Sequence, residues 1–166
     1  MIARKQDGTG FKGKGSEGKD LKAVVLSAGV VVVRREGEDW RYLLLRAYNY
    51  WDFPKGEVKP GEEPLETAKR EVKEETGIED LSFSWGHSYT ETPPYGRGKI
   101  ARYYLAETKQ IQIELPISQE LGRPEHNEAR WLGVSEARQL LVPRLVAVID
   151  WAHKLIGGRR EASLEK

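Results

Sequence analysis

The chain of 166 residues has no cysteine, which excludes disulfides and thiolate metal sites. A metal bound here must rest on carboxylate, carbonyl, imidazole or water, and that favours a hard cation. Nor is there an excess of charge: 27 basic residues face 26 acidic ones, so no global field draws the chain onto nucleic acid or membrane, although local patches can still grip phosphates. No apolar run approaches the roughly 20 residues that span a bilayer, and the N-terminus lacks the apolar core of a signal peptide. A cytoplasmic protein with no membrane contact and no obligate protein partner is the expectation. The length suits one domain with one core, and no internal repeat is visible.

Residues 1–20 are rich in Gly and Lys and nearly without apolar content, so they are expected to form a flexible tail. A domain over 21–157 and a second flexible tail over 158–166 complete the expected division. Val24, Val25, Ala28 and Val30 to Val33 read as one strand, Gly37 as a turn, and Arg41 to Leu45 as a second strand. After an aromatic loop, a helix is expected from about Glu62 to Thr76, stopped by Gly77. Leu81 to Thr90, Lys99 to Thr108 and Ala129 to Leu132 read as strands. Ser135 can cap a short helix to Leu141, and Pro143 can open a last one ending at Gly157 and Gly158. Such an order implies an α/β/α sandwich around a mixed sheet.

The first helix carries a conflict. Leu65, Ala68 and Val72 make an apolar stripe, and Glu62, Glu63 and Glu66 sit where the macrodipole favours acid. Glu71, Glu74 and Glu75 lie instead in the C-terminal half, at mutually repulsive spacings and beside the apolar stripe. Arg70 can neutralise only part of this, and a divalent cation would resolve it. Taken alone, the three are also what a solvated acidic face looks like, the usual meaning of a charge run.

The surrounding residues decide. Gly56, Glu62, Arg70, Glu71, Val72, Glu74, Glu75, Gly77 and Ile78 fill every fixed position of G-x5-E-x7-R-E-U-x-E-E-x-G-U, where U is a bulky aliphatic. The chain therefore resembles the Nudix hydrolases, and the likeness extends to about Ile156. The resemblance implies a Nudix-type α/β/α sandwich with a central mixed β-sheet, and hydrolysis of a pyrophosphate linkage with Mg2+, or Mn2+, as cofactor. It makes Glu74 and Glu75 the principal metal ligands, with Glu71 and the Gly56 carbonyl contributing. Arg70, with Glu62, would orient loop and carboxylates. The family often adds a carboxylate from a later loop. Here E-H-x-x-x-x-W from Glu125 to Trp131 points to Glu125 as ligand or base rather than Glu128, against the alternative of an ordinary loop acid. His126 is expected to be an orienting or surface histidine, and His87 and His153 have no constellation around them.

The stretch W-D-F-P-K-G at 51–56 resembles the entry found in asymmetrical diadenosine tetraphosphate hydrolases, as do Y-L-A-E at 104–107 and R-W-L-G at 130–133. That branch implies a dinucleoside polyphosphate as partner, cut into ATP and AMP. Lys55 could reach the phosphate chain, assisted by Arg46 or Lys99. Tyr48, Tyr89, Tyr95 and Tyr103 can each stack on adenine, Tyr95 first because it lies in a Pro/Gly-rich loop. The second reading removes pyrophosphate from an RNA 5′ end, a branch that usually has methionine and glutamine where Phe53 and Lys55 stand. A nucleoside triphosphate sanitising enzyme is the third. A non-catalytic nucleotide-binding module is the alternative of another class, and such modules commonly lose a carboxylate of the box, whereas all are present here.

Overall fold

Val25–Glu36 forms strand β1, whose alternating side chains divide the core. Val31 and Val33 join one apolar cluster and Val30 and Val32 another, so the strand is covered on both faces. A computed structural model describes residues 24–165, with side chains to Gly158; the Gly/Lys-rich stretch 1–20 lies outside the described residues. In chain order the elements are β1, β2 (Asp39–Ala47), β3 (Tyr50–Asp52), β4 (Lys55–Glu57), α1 (Pro64–Thr76), β5 (Tyr89–Glu91), β6 (Lys99–Glu107), β7 (Ile117–Ser118), β8 (Arg123–Pro124), β9 (Glu128–Leu132), α2 (Val134–Leu140) and α3 (Pro143–Glu165).

One face of the sheet packs Ala68 and Val72 of α1 against Leu43 and Leu45. The other packs Ala137 of α2 and Leu145, Val148, Ile149, Ala152 and Ile156 of α3 against Tyr42, Leu44 and Tyr103. This is the expected sandwich around a mixed sheet. Its path is β3-β2-β1-β6-β5, with β4 also on β1 and β9 also on β2. β1 and β6 run parallel, from Val25↔Lys99 to Val33↔Glu107, and the other pairings are antiparallel.

The feature that makes room for a site is a split. β1 and β2 pair only from Val33↔Tyr42 to Glu36↔Asp39. Beyond that β2 takes β3 at Leu45 to Ala47, while β1 takes β4 at Ser27 to Gly29. The chain from Tyr50 to Glu57 thus crosses the gap between two diverging strands. Gly29 permits the close approach: a Cβ there would lie 2.2 Å from the Pro54 carbonyl oxygen.

Some expectations fail for local reasons. The strand over 81–90 shrinks to a bridge between Ser82 and Glu107 and the short β5, because Gly86 at φ 89° turns the chain with its N–H on the Phe83 carbonyl. α2 is capped by Gly133, whose N–H donates to the Glu136 carboxylate at 3.2 Å, and not by Ser135. α3 continues through Gly157 and Gly158 to Glu165. Glycine inside a helix costs only about 1 kcal/mol relative to alanine, and the good helix formers Arg159 to Ala162 follow. No helix of the described residues is long and apolar enough to cross a membrane.

Candidate active site

α1 begins with Pro64 at its first turn, and its apolar stripe fixes its rotation on the sheet. Gly77 ends it at φ 79°, with its N–H on the Lys73 carbonyl at 2.9 Å. Rotation and length together carry Glu71, Glu74 and Glu75 to the edge facing β4 and the loop before β9.

Arg70 distributes itself over three acids. Its Nε and Nη2 donate to the two oxygens of Glu62 at 3.0 and 3.1 Å, and its Nη1 donates to Glu71 at 3.0 Å and Glu74 at 3.1 Å. Glu62 also accepts the Lys59 N–H and the Thr67 hydroxyl. Arg70, then those two donors, hold the Glu62 carboxyl down at about 2. The loop before α1 and the acidic face of the helix are thereby clamped by one guanidinium.

Glu75 is left outside the clamp. It is 5% exposed, and neither carboxylate oxygen has a hydrogen-bond partner. Burial first, then the charges of Glu125 and Glu71, push its carboxyl well above the usual range. The half-buried imidazole of His126 brings Nδ1 to 3.8 Å from Glu75 Oε1, and that nitrogen is also unpartnered. Ligand atoms of Glu75, Glu125 and His126 all lie within 4.8 Å of one another. Burial, then the charge of Lys55, lowers His126 to about 4, so its ring is neutral near pH 7. Glu125 is exposed on its loop, and the partial desolvation of its carboxyl, then the charge of Glu71, raises it.

Such a cluster fits a divalent cation. Buried carboxylate oxygens without donors are costly unless something positive approaches them, and carboxylates with one neutral imidazole suit a hard or borderline ion. The backbone beside them is equally specific. A Cβ on Gly56 would lie 2.0 Å from Glu71 Cδ and 2.2 and 2.4 Å from its oxygens, so the Glu71 carboxylate rests directly on that glycine.

The other residues singled out in the sequence separate into groups. Lys55 Nζ sits 3.3 Å from Asp52 Oδ2 and within the field of Glu75. Asp52 is itself buried, and its Oδ1 accepts the Phe53 N–H at 2.6 Å and the Tyr103 hydroxyl at 2.8 Å. Tyr103 is therefore not a stacking platform: it is fully buried and packs edge-on against Phe53. Its place on β6, flanked by β1 and β5, decides this. Arg46 donates to Glu128 at 3.0 Å, and Arg130 binds the same carboxylate, so Glu128 is spent on two arginines and kept low by Arg130, then Arg46. Lys99 is exposed at the start of β6 and shares two backbone hydrogen bonds with Tyr95. Tyr95 is half-buried, with the Arg144 guanidinium 3.9 Å from its ring centre. Asp52 and Arg144 were not anticipated. Asp52 lies inside the W-D-F-P-K-G stretch, whereas nothing in the pattern around Arg144 marks it.

Comparison with known proteins agrees with this arrangement. The NUDIX domain family matches residues 24–152. The bis(5′-nucleosyl)-tetraphosphatase [asymmetrical] of Mus musculus is 37% identical over 126 residues, covering 69% of this chain and 82% of its own. The RNA pyrophosphohydrolase of Bartonella henselae is 38% identical over 140 residues, covering 70% and 80%. Among solved structures, a C. elegans Ap4A hydrolase binary complex superposes with a TM-score of 0.68 at 25% identity, covering 81% of this chain and 99% of that one. With the whole box seated on a clamped helix beside a split in the sheet, the chain belongs to the Nudix family, as a hydrolase of phosphoanhydride bonds.

Proposed function

We propose that the chain is a magnesium- or manganese-dependent hydrolase that cuts diadenosine tetraphosphate asymmetrically, adding water to give ATP and AMP. The observation that carries the reading is the buried, unpartnered carboxylate of Glu75 facing Glu125 and His126. Glu71, Glu74, Glu75, Glu125 and the Gly56 carbonyl hold the ion, and Arg70 with Glu62 keeps helix and loop in register around it. A bound ion would supply charge neutralisation of the diphosphate and a water of lowered pKa. Glu125, raised by partial desolvation and by Glu71, accepts the proton of the attacking water. Lys55, held by Asp52, binds the phosphate chain, and Tyr95 stacks on one adenine, which fixes the register of the chain and puts the cut off-centre.

The dinucleotide is favoured by the W-D-F-P-K-G stretch and by the similarity to the mouse tetraphosphatase. Removal of pyrophosphate from an RNA 5′ end is the second reading, favoured by the similarity to the Bartonella henselae enzyme. A panel of diadenosine polyphosphates, triphosphorylated RNA, nucleoside triphosphates and sugar nucleotides, run in 18O-labelled water with products identified, separates them. ATP and AMP from diadenosine tetraphosphate, at the fastest rate of the panel, is the expected result. Two ADP, or a preference for triphosphorylated RNA, would defeat the dinucleotide reading.

The loop before β9 offers an internal comparison. Glu125→Gln should lower kcat by about 10²- to 10³-fold with little change in KM, since a base or transition-state ligand acts on the chemical step. Glu128→Gln, which only releases Arg46 and Arg130, should keep kcat near the wild-type value. The reverse pattern in steady-state kinetics would transfer the role to Glu128.

A further inference from the structure

The half-buried arginines of the described residues follow a rule that one of them breaks. Arg34, Arg41, Arg46, Arg70 and Arg102 each have a carboxylate oxygen within 3.1 Å. Arg144, on the first turn of α3, has none within the 4.0 Å of an ion pair among the described residues. Its guanidinium carbon lies 3.9 Å from the centre of the Tyr95 ring and 5.7 Å from that of Tyr50, and its Nη2 donates to the Tyr50 hydroxyl. Its Nε is buried with no acceptor. A cation so placed has given up water without gaining a counter-charge, and an aromatic face offsets only part of that loss.

Arg144 is also joined to the site. Tyr50, whose hydroxyl accepts from Arg144, stands two residues before Asp52 in β3. Asp52 in turn holds Lys55, the residue before Gly56. The chain from Tyr50 to Gly56 thus runs from Arg144, through Lys55, to the glycine on which the Glu71 carboxylate rests. Along it the Lys55 charge is already met by Asp52 at 3.3 Å, whereas that of Arg144 is unmet. An anion bound along it gains most at Arg144, whose planar fork suits phosphate oxygens better than a point charge does.

We propose that Arg144, backed by Tyr50 and Tyr95, binds phosphate oxygens of the substrate's polyphosphate chain on the side away from the acidic cluster, and so helps set the chain length the enzyme prefers. This rests on the reading of the site as one for a nucleoside polyphosphate, without depending on which one. Arg144→Ala should raise KM roughly 10- to 100-fold while kcat stays within about threefold, because the contact is equal in ground and transition states. Arg144→Lys should fall between the two, keeping charge and losing the fork.

The test measures both variants and the wild type on diadenosine tri-, tetra- and pentaphosphate and on whichever nucleotide of the panel proves fastest, with inorganic tripolyphosphate as competitive inhibitor. A tripolyphosphate inhibition constant that rises in parallel with KM, at an unchanged melting temperature, is the expected result. If the wild type favours another nucleotide, the dinucleotide reading falls, and the same loss measured on that nucleotide upholds Arg144. Equal KM and equal tripolyphosphate inhibition in wild type and Arg144→Ala, including no inhibition of either, overturn the proposal. Should the alanine variant fail to fold, a wild-type KM in Arg144→Lys overturns the fork.

Discussion

Glu75→Gln is expected to lower turnover on the order of 10³-fold at saturating magnesium, while the metal-free protein melts higher than the wild type. The two halves come from one cause. Glutamine keeps the shape of the side chain, so the packing of α1 against the sheet is undisturbed. It removes the charge that burial, Glu125 and Glu71 all oppose, and that relief should be worth about 1 kcal/mol or more at a site so dry. What stabilises the empty fold is what the reaction loses, because the same carboxylate is the one on α1's acidic edge that Arg70 does not reach. Steady-state kinetics across a magnesium titration, with melting curves in chelator, measure both. Near-normal turnover at saturating magnesium would remove Glu75 from the mechanism.

Gly56→Ala is expected to cost about 10²-fold or more in kcat with only a small loss of stability, within about 1 kcal/mol. The new Cβ would collide with the Glu71 carboxyl group, which is the far end of a flexible side chain and can swing away cheaply. In swinging it leaves both the Arg70 clamp and the acidic edge. Gly29→Ala provides the contrast. There the Cβ would meet the Pro54 carbonyl and the Lys55 backbone, which cannot swing, so the expected loss is in folding, by several kcal/mol. Melting curves and kinetics on the pair separate a glycine kept for chemistry from one kept for architecture. Full activity in Gly56→Ala would show that Glu71 needs no fixed position.

The sequence announced the end of α1 to the residue, because apolar stripe and Gly77 agree, and placed its start near Glu62 where the helix opens at Pro64. It also gave the β1–β2 hairpin and β6, where apolar runs are long. It missed β3, β4, β7 and β8, which span two or three residues each and owe their form to the strands they meet. The site divides the same way. Glu71, Glu74 and Glu75 are visible as a helix in conflict with itself, but which of them Arg70 would satisfy depends on side-chain reach. His126 looked peripheral in the chain and lies beside Glu75 in space. Tyr103 looked available for stacking, and only its burial on β6 shows it holding Asp52. Arg144 carries no local signature: its meaning lies in the absence of an acid from residues distant in sequence.

The parallel ladder between β1 and β6 bears on how the site comes into being. It joins residues roughly 70 positions apart, so its closure is a non-local and slow event compared with the β1–β2 hairpin or the turns of α1. As the chain emerges from the ribosome, β1 can acquire β2 and β4 on one flank while the other waits for Lys99 to Glu107. Glu125 and His126 follow later still. A nascent chain therefore carries the complete box, with its repelling carboxylates, well before it carries the residues that complete the cluster. The unpaired flank of β1 during that interval is where a stalled chain would be open to aggregation.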